Sequence, residues 1–304
     1  MRHLIAALVI AIAAPALAQP ANPPADPLVR EGATQKISEH VYVIPDFSTP
    51  MVPNVGIIVG TRATLVVDTG MGPRNGETIL KEVAKVSRNR ELYLVTTHIH
   101  PEHDLGASAF TAARMIRSAD QVKDIAEFGL ATAQQFSQRS PMTAELLKGA
   151  QYRTADVVFE REHLLDLGGV KVRLIAMGPN HTRGDTAMLV EPDEVLFSGD
   201  VAMSALPAFA SPYSNLGQWL ASLDRFEALH PKRIVPSHGP LGDVGFINYY
   251  RTFFKAVQAR AGELKAQGKT VDETVSTIQA ELAPRYPDRG RMGGAIRAAY
   301  AEAK

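Results

Sequence analysis

Three histidines and a glutamate crowd into six residues of this chain, His98-Ile99-His100-Pro101-Glu102-His103, directly after an apolar run at 92–97 that reads as a strand. In an extended segment alternate side chains point the same way. His98 and His100 can therefore reach one ion together, while the turn at Pro101 swings Glu102 and His103 toward a neighbouring position. Two adjacent metal sites are the natural outcome, and the end of a strand is where α/β sheets place their chemistry. The chain has no cysteine, which removes thiolate zinc sites, iron–sulfur clusters, disulfides and a cysteine nucleophile together. Any ion must be held by imidazole nitrogen and carboxylate oxygen, donors that zinc accepts at about 2.0–2.2 Å.

The rest of the chain supplies a scaffold for that cluster. Short β-rich runs at 40–44, 56–59 and 64–67, the last two joined by a tight Gly60-Thr61-Arg62-Ala63 turn, predict an antiparallel start. Ile79, Leu80, Val83 and Val86 then fall at helical spacing. Ser118 with Gln121 predicts a helix start, carrying Val122, Ile125 and Phe128. Strands are expected near 157–159, 164–167, 170–176, 186–190, 194–197 and 233–236, with a helix over 219–229. From about 245 the pattern turns helical, with Phe246, Tyr249, Tyr250, Phe253, Phe254 and Val257 as a stripe that reads as core packing. Thr270 with Glu273 forms a second capping box ahead of Val271, Val275, Ile278 and Leu282.

The amino terminus carries an address. Residues 1–18 combine a basic start, an almost unbroken Leu/Ile/Val/Ala run and an Ala16-Leu17-Ala18 cleavage site, the pattern of a secretory signal peptide. The run is shorter than the ~20 residues that span a bilayer, so a membrane anchor is not expected. Residues 19–27 are a proline-rich leader, and 28–304 form the catalytic domain. The expected location is periplasmic or secreted. Basic and acidic residues balance at 32 each, which argues against nucleic-acid or anionic-membrane partners held through bulk charge. The expected partner is a small-molecule substrate; oligomeric state is left open.

Three later segments repeat the ligand chemistry at strand ends: His181 within Gly178-Pro179-Asn180-His181-Thr182-Arg183-Gly184-Asp185, Asp200 after Phe197-Ser198-Gly199, and His238 within Pro236-Ser237-His238-Gly239. With Asp68 in Val66-Val67-Asp68-Thr69-Gly70 and the His98–His103 cluster, the chain resembles the metallo-β-lactamase superfamily in all five of its motifs, in order. The resemblance implies an α/β fold, a four-layer αββα sandwich with C-terminal helices, and a dinuclear zinc site. It assigns His98, His100 and His181 to one ion, Glu102, His103 and His238 to the other, and Asp200 to both. Asp68 matches a position that orients ligands from behind. His40, His163 and His230 have no motif around them and are read as ordinary residues. Glu102 departs from the family, which has Asp there, so the second site must absorb one extra methylene through a backbone shift or a different rotamer; Asp104 occupies a slot that normally faces away.

From such a site a hydrolysis follows. Two cations bridged by water lower its pKa toward ~7, so a bridging hydroxide is the expected nucleophile, with Glu102 and Asp200 as the catalytic carboxylates. One ion takes the developing oxyanion while the other, with Glu102, handles the leaving group and proton. The expected reaction is cleavage of an ester, lactone, lactam or thioester. Loops 46–54 (Phe47, Met51, Val52) and 203–214 (Leu206, Phe209, Tyr213) are expected to give an apolar pocket for a mostly neutral substrate. Three alternatives stand beside this: β-lactamase activity specifically, a mononuclear iron dioxygenase resembling the persulfide dioxygenases, and a non-catalytic metal-binding protein.

Overall fold

The computed structural model describes residues 25–304; the expected signal peptide, 1–18, and the leader through residue 24 lie outside the described residues. Two sheets form the centre. The first has seven strands in sequential order: β1 (Gln35–Lys36), β2 (Val41–Ile44), β3 (Val55–Val59), β4 (Ala63–Val67), β5 (Glu91–Val95), β6 (Arg114–Ser118) and β7 (Val157–Phe159). It is antiparallel through β4 and parallel from β4 to β7. The second holds β8 (Glu162–Asp166), β9 (Lys171–Ala176), β10 (Thr186–Val190), β11 (Val195–Gly199) and β12 (Arg233–Pro236), antiparallel except for the β11–β12 pair.

The period-2 alternation of each strand sorts its side chains between two cores. Leu65 and Val67 of β4, Val95 of β5, Val172 and Leu174 of β9 and Phe197 of β11 meet between the sheets. Their neighbours Val66 and Leu94 face outward, onto Ile79 and Val83 of α1 (Gly72–Val86). Ile175, Ala187, Leu189 and Leu196 face the other way, onto α6 (Leu216–Ala228) and the C-terminal helices. Helix, sheet, sheet, helix are the four layers. Between α1 and α6 the chain also forms α2 (Pro101–Asp104), α3 (Ala119–Asp124), α4 (Leu130–Ser137) and α5 (Pro141–Leu146), with a π-helical turn, Ile125–Gly129, joining α3 to α4. After β12 come α7 (Gly245–Ala266), α8 (Val271–Leu282) and α9 (Arg289–Glu302).

The aromatic stripe is core: Tyr250, Phe253, Phe254 and Val257 of α7 are fully buried. Thr270 and Glu273 form the expected reciprocal box, whereas at Ser118 only half of one forms: its hydroxyl accepts from Gln121 N, and the Gln121 side chain donates to Thr96 instead. Strands β1 and β6 have no counterpart in the sequence reading, and Val122 is exposed rather than part of a buried stripe. Among the described residues no helix is long and apolar enough to cross a membrane.

Candidate metal centre

Every expected ligand follows the end of a strand, or lies in a loop between two, on one edge of the sandwich. Asp68 follows β4, His98 to His103 follow β5, Asp200 follows β11, His238 follows β12, and His181 lies between β9 and β10. The two sheets approach closely there: a Cβ on Gly199, whose φ is +61°, would stand 3.2 Å from Thr97 Cβ, so the backbone before Asp200 accepts only glycine comfortably.

The structure brings all seven expected ligand side chains together. His98 Nε2 and His181 Nε2 lie 3.0 and 3.2 Å from His100 Nδ1, and Asp200 Oδ2 lies 3.5 Å from His181 Nε2. Donors about 2.0–2.1 Å from one tetrahedral centre stand about 3.3 Å apart, so these spacings fit an ion. Donor atoms of Glu102, His103 and His238 form a second group within 4.8 Å of one another, and His98, His103 and Asp200 a third that connects the two.

What lies behind each ring decides which nitrogen faces inward. Asp68 Oδ2 accepts from His103 Nδ1 at 2.8 Å, while Asp68 also accepts from Thr97 N at 2.7 Å and Thr97 Oγ1 at 3.0 Å. His98 Nδ1 is 3.1 Å from that same Thr97 hydroxyl. His181 Nδ1 donates to the Ala208 carbonyl at 2.6 Å and His238 Nδ1 to that of Val52 at 2.9 Å. Four rings are thereby oriented with Nε2 facing inward, the atom that carries the lone pair when the ring is neutral. Asp68 holds its place in the left-handed region, φ +62°, where a non-glycine residue marks local strain.

Nine buried side-chain polar atoms among the described residues have no hydrogen-bond partner, and three of them are Glu102 Oε2, His103 Nε2 and Asp200 Oδ1. Buried atoms of this kind are costly unless something binds them, and all three belong to the donor groups above. Burial and the neighbouring rings push His98 and His100 well below the ordinary imidazole range, and burial lowers His181. These rings are therefore neutral donors. Burial opposes charge on His103 as well, yet the Asp68 carboxylate raises it to about 9. Asp200 is pulled below the usual carboxylate range, the surrounding histidines outweighing its burial. The set suits a divalent cation that prefers nitrogen and carboxylate oxygen.

Asp104 points away from this centre. Its carboxylate is bound by both terminal nitrogens of buried Arg117, one at 2.8 Å, and accepts from Thr96 Oγ1 at 2.7 Å. Gln121 donates to the Thr96 carbonyl and hydroxyl, and Tyr152 Oη to the Ile99 carbonyl. The other three histidines stand apart: His40 pairs with Asp193, His163 stacks near Phe159, and His230 is exposed at the end of α6.

A cavity of about 550 Å³ opens over the ligands, and here the sequence reading needs correction. Both expected loops reach it, but through Asp46, Ser48, Thr49, Pro50 and Met51 and through Ala208 and Ala210. Phe47 turns elsewhere, Val52 and Leu206 are buried in the core, Phe209 packs on Trp219 and Phe254, and Tyr213 binds Glu127. The wall also includes Phe136, Arg139 and Arg291, none of them anticipated. The pocket is therefore not the uncharged one expected. Asn54 was also missed: its side chain donates to the Pro236 and Gly239 carbonyls and accepts from Asp46 N, tying the 46–54 loop to the turn that carries His238.

An αββα sandwich with converging histidines and carboxylates on one edge is the architecture of a metal-dependent hydrolase. The sequence profile of the metallo-beta-lactamase superfamily matches residues 48–238, and the chain belongs to that superfamily. Among curated proteins it is similar to the acyl-coenzyme A thioesterase MBLAC2 of Homo sapiens, 23% identical over 202 residues covering 61% of this chain and 72% of that protein. It is likewise similar to a linear primary-alkylsulfatase of Pseudomonas sp., 23% identical over 60% of this chain and 40% of that one. Among solved structures, the inverting sec-alkylsulfatase Pisa1 from Pseudomonas sp. superimposes with a TM-score of 0.70 at 15% identity, covering 88% of this chain. The chain spans about half the length of that alkylsulfatase.

Proposed function

We propose that this chain is an exported, zinc-dependent hydrolase that cleaves an acyl bond of a small molecule. The observation that carries the reading is the set of orphaned buried atoms, Glu102 Oε2, His103 Nε2 and Asp200 Oδ1, gathered where Glu102 and Asp200 line an open cavity. His98, His100 and His181 would hold one ion and Glu102, His103 and His238 a second, with Asp200 shared. When bound, such ions supply a water acidified toward neutrality and a Lewis acid for the carbonyl oxygen. The chain's own part is positioning. Asp68, Thr97 and the carbonyls of Ala208 and Val52 fix the rings, while Glu102 and Asp200 are the carboxylates on the wall nearest the reacting atoms. In the overall reaction, water oxygen joins the acyl carbon, the bond to the leaving group breaks, and the leaving group takes a proton. The thioesterase named among the similar proteins supports the choice of an acyl bond.

The test is elemental analysis joined to turnover of chromogenic esters, thioesters and lactones. The native protein is expected to carry about two zinc per chain; His98→Ala and His181→Ala should lose the tighter-bound ion and activity, and His238→Ala should keep one ion. Equal loss in all three variants would sink the two-site assignment, and one iron per chain would overturn hydrolysis in favour of oxygenation. Export is tested separately by mass spectrometry of native protein, with Gln19 as the expected first residue and retained Met1 as the refuting result.

A further inference from the structure

The cavity wall carries two guanidinium groups from distant parts of the chain, Arg139 and Arg291, and neither has a close carboxylate partner. Arg139, in the turn between α4 and α5, has no carboxylate within ion-pair distance among the described residues. Its guanidinium lies 3.5 Å over the Phe136 ring, which in turn stands 5.5 Å from the ring of His100. The stack delivers a full positive charge beside the metal centre without neutralising it. Arg291, in the first turn of α9, donates from one terminal nitrogen to the Leu206 carbonyl at 2.8 Å. Its contact with Asp288 is long, 3.9 Å from Nε, so much of its fork remains open toward the cavity it lines.

The carboxylates of the same wall are already engaged. Asp46 accepts from Gly239 N at 2.8 Å and Ser48 N at 3.0 Å, while Glu102 and Asp200 belong to the donor groups of the metal centre. The charged side chains left free to bond a ligand are the two guanidiniums, and beside the polar Ser48 and Thr49 the wall offers the apolar surface of Pro50, Met51, Phe136, Ala208 and Ala210. Arginine's planar fork is suited to carboxylate, sulfate and phosphate oxygens. We infer that Arg139 and Arg291 form an anion-reading site, and that the substrate is an amphiphile carrying a negatively charged oxyacid group on a short apolar body. This deepens the hydrolase reading and rests on it for calling the ligand a substrate; the binding site itself does not depend on turnover.

Calorimetry on the metal-loaded protein tests it, with hexane-1-sulfonate and hexanoate as anionic probes and hexan-1-ol as their neutral counterpart. The native protein is expected to bind an anionic probe at least tenfold more tightly than the alcohol. Arg139→Gln and Arg291→Gln should each reduce that ratio about tenfold, at unchanged metal content. Arg139→Lys, which keeps the charge, should retain a preference for anions, guarding against a folding defect. The tighter of the two anions tells sulfonate from carboxylate recognition. A native ratio near one, or a ratio that neither glutamine variant lowers, overturns the site. If esters are hydrolysed without any anion preference, the anion site fails and the hydrolase reading stands; if the preference is present but no ester is hydrolysed, the reverse holds.

Discussion

The two halves of the molecule hold their metal ligands by different means. In the first half the cluster at 98–103 is anchored by charged side chains: Asp68 grips His103 and Thr97, and beneath them Asp104 and Arg117 form an ion pair with almost no exposure. In the second half His181 and His238 lean on backbone carbonyls of Ala208 and Val52, and those carbonyls belong to the loops that line the cavity. The first arrangement is stiff and independent of the pocket. The second couples ligand orientation to the same loops a substrate touches, so pocket shape can vary in such a scaffold only at some cost to the ions.

The largest effect that would break this contrast lies under the first cluster. Removing one partner of a buried ion pair leaves an uncompensated charge and costs about 3–5 kcal/mol. Arg117→Ala is therefore expected to destabilise severely, measured by urea unfolding in the presence of a chelator so that metal binding does not contribute. The double variant Arg117→Met/Asp104→Leu should recover most of the loss, because both charges go together. If Arg117→Ala unfolds at the native midpoint, the pair is no anchor, and the two halves are alike.

Asp68→Asn sharpens the contrast at intermediate size. The amide keeps an oxygen for Thr97 but turns an NH2 toward His103 Nδ1, which then favours the tautomer with its proton on Nε2, the atom meant to face the ion. Loss of a supporting partner of this kind typically costs 10–100-fold in metal affinity. Competition with a chromophoric chelator should show that loss at one site, with unfolding of the chelated protein changed far less than in Arg117→Ala.

The ligand residues were legible in the sequence because they sit together at strand ends, where type and spacing carry the signal. The scaffold was legible through alternation, as in Leu65, Val66 and Val67, which divide between two cores. What failed to show did so for physical reasons. Strand β6 reads Arg-Met-Ile-Arg-Ser, and Arg117 scores as a surface residue unless its partner Asp104 is known. Val122 is apolar yet exposed and Ile125 and Phe128 are only half-buried, so the helical stripe they form was credited with burial it does not have. Arg139 and Arg291 meet at one cavity only after folding, and no local pattern marks either of them.

The smallest effect is expected at Tyr213, and it probes the coupling in the second half directly. This residue lies on the 203–214 loop, whose Ala208 carbonyl holds His181 Nδ1 and whose Ala210 N and Ser214 Oγ both donate to the His181 carbonyl. Its hydroxyl donates to Glu127 at 2.9 Å, and its ring lies 4.4 Å from the Arg183 guanidinium, which itself pairs with Asp124 and Glu127. Tyr213→Phe removes only the hydroxyl bond and keeps the ring over Arg183. Because the contact is solvent-exposed, metal affinity should fall less than about threefold, within the range of exposed polar contacts, with no measurable change in the unfolding midpoint. Tyr213→Ala also removes the ring and should cost more at the ion bound by His181 while sparing the one bound by His103. Should Tyr213→Phe weaken metal binding as much as Asp68→Asn, the pocket loop would be as rigid an anchor as the buried carboxylate, and the contrast between the halves would collapse.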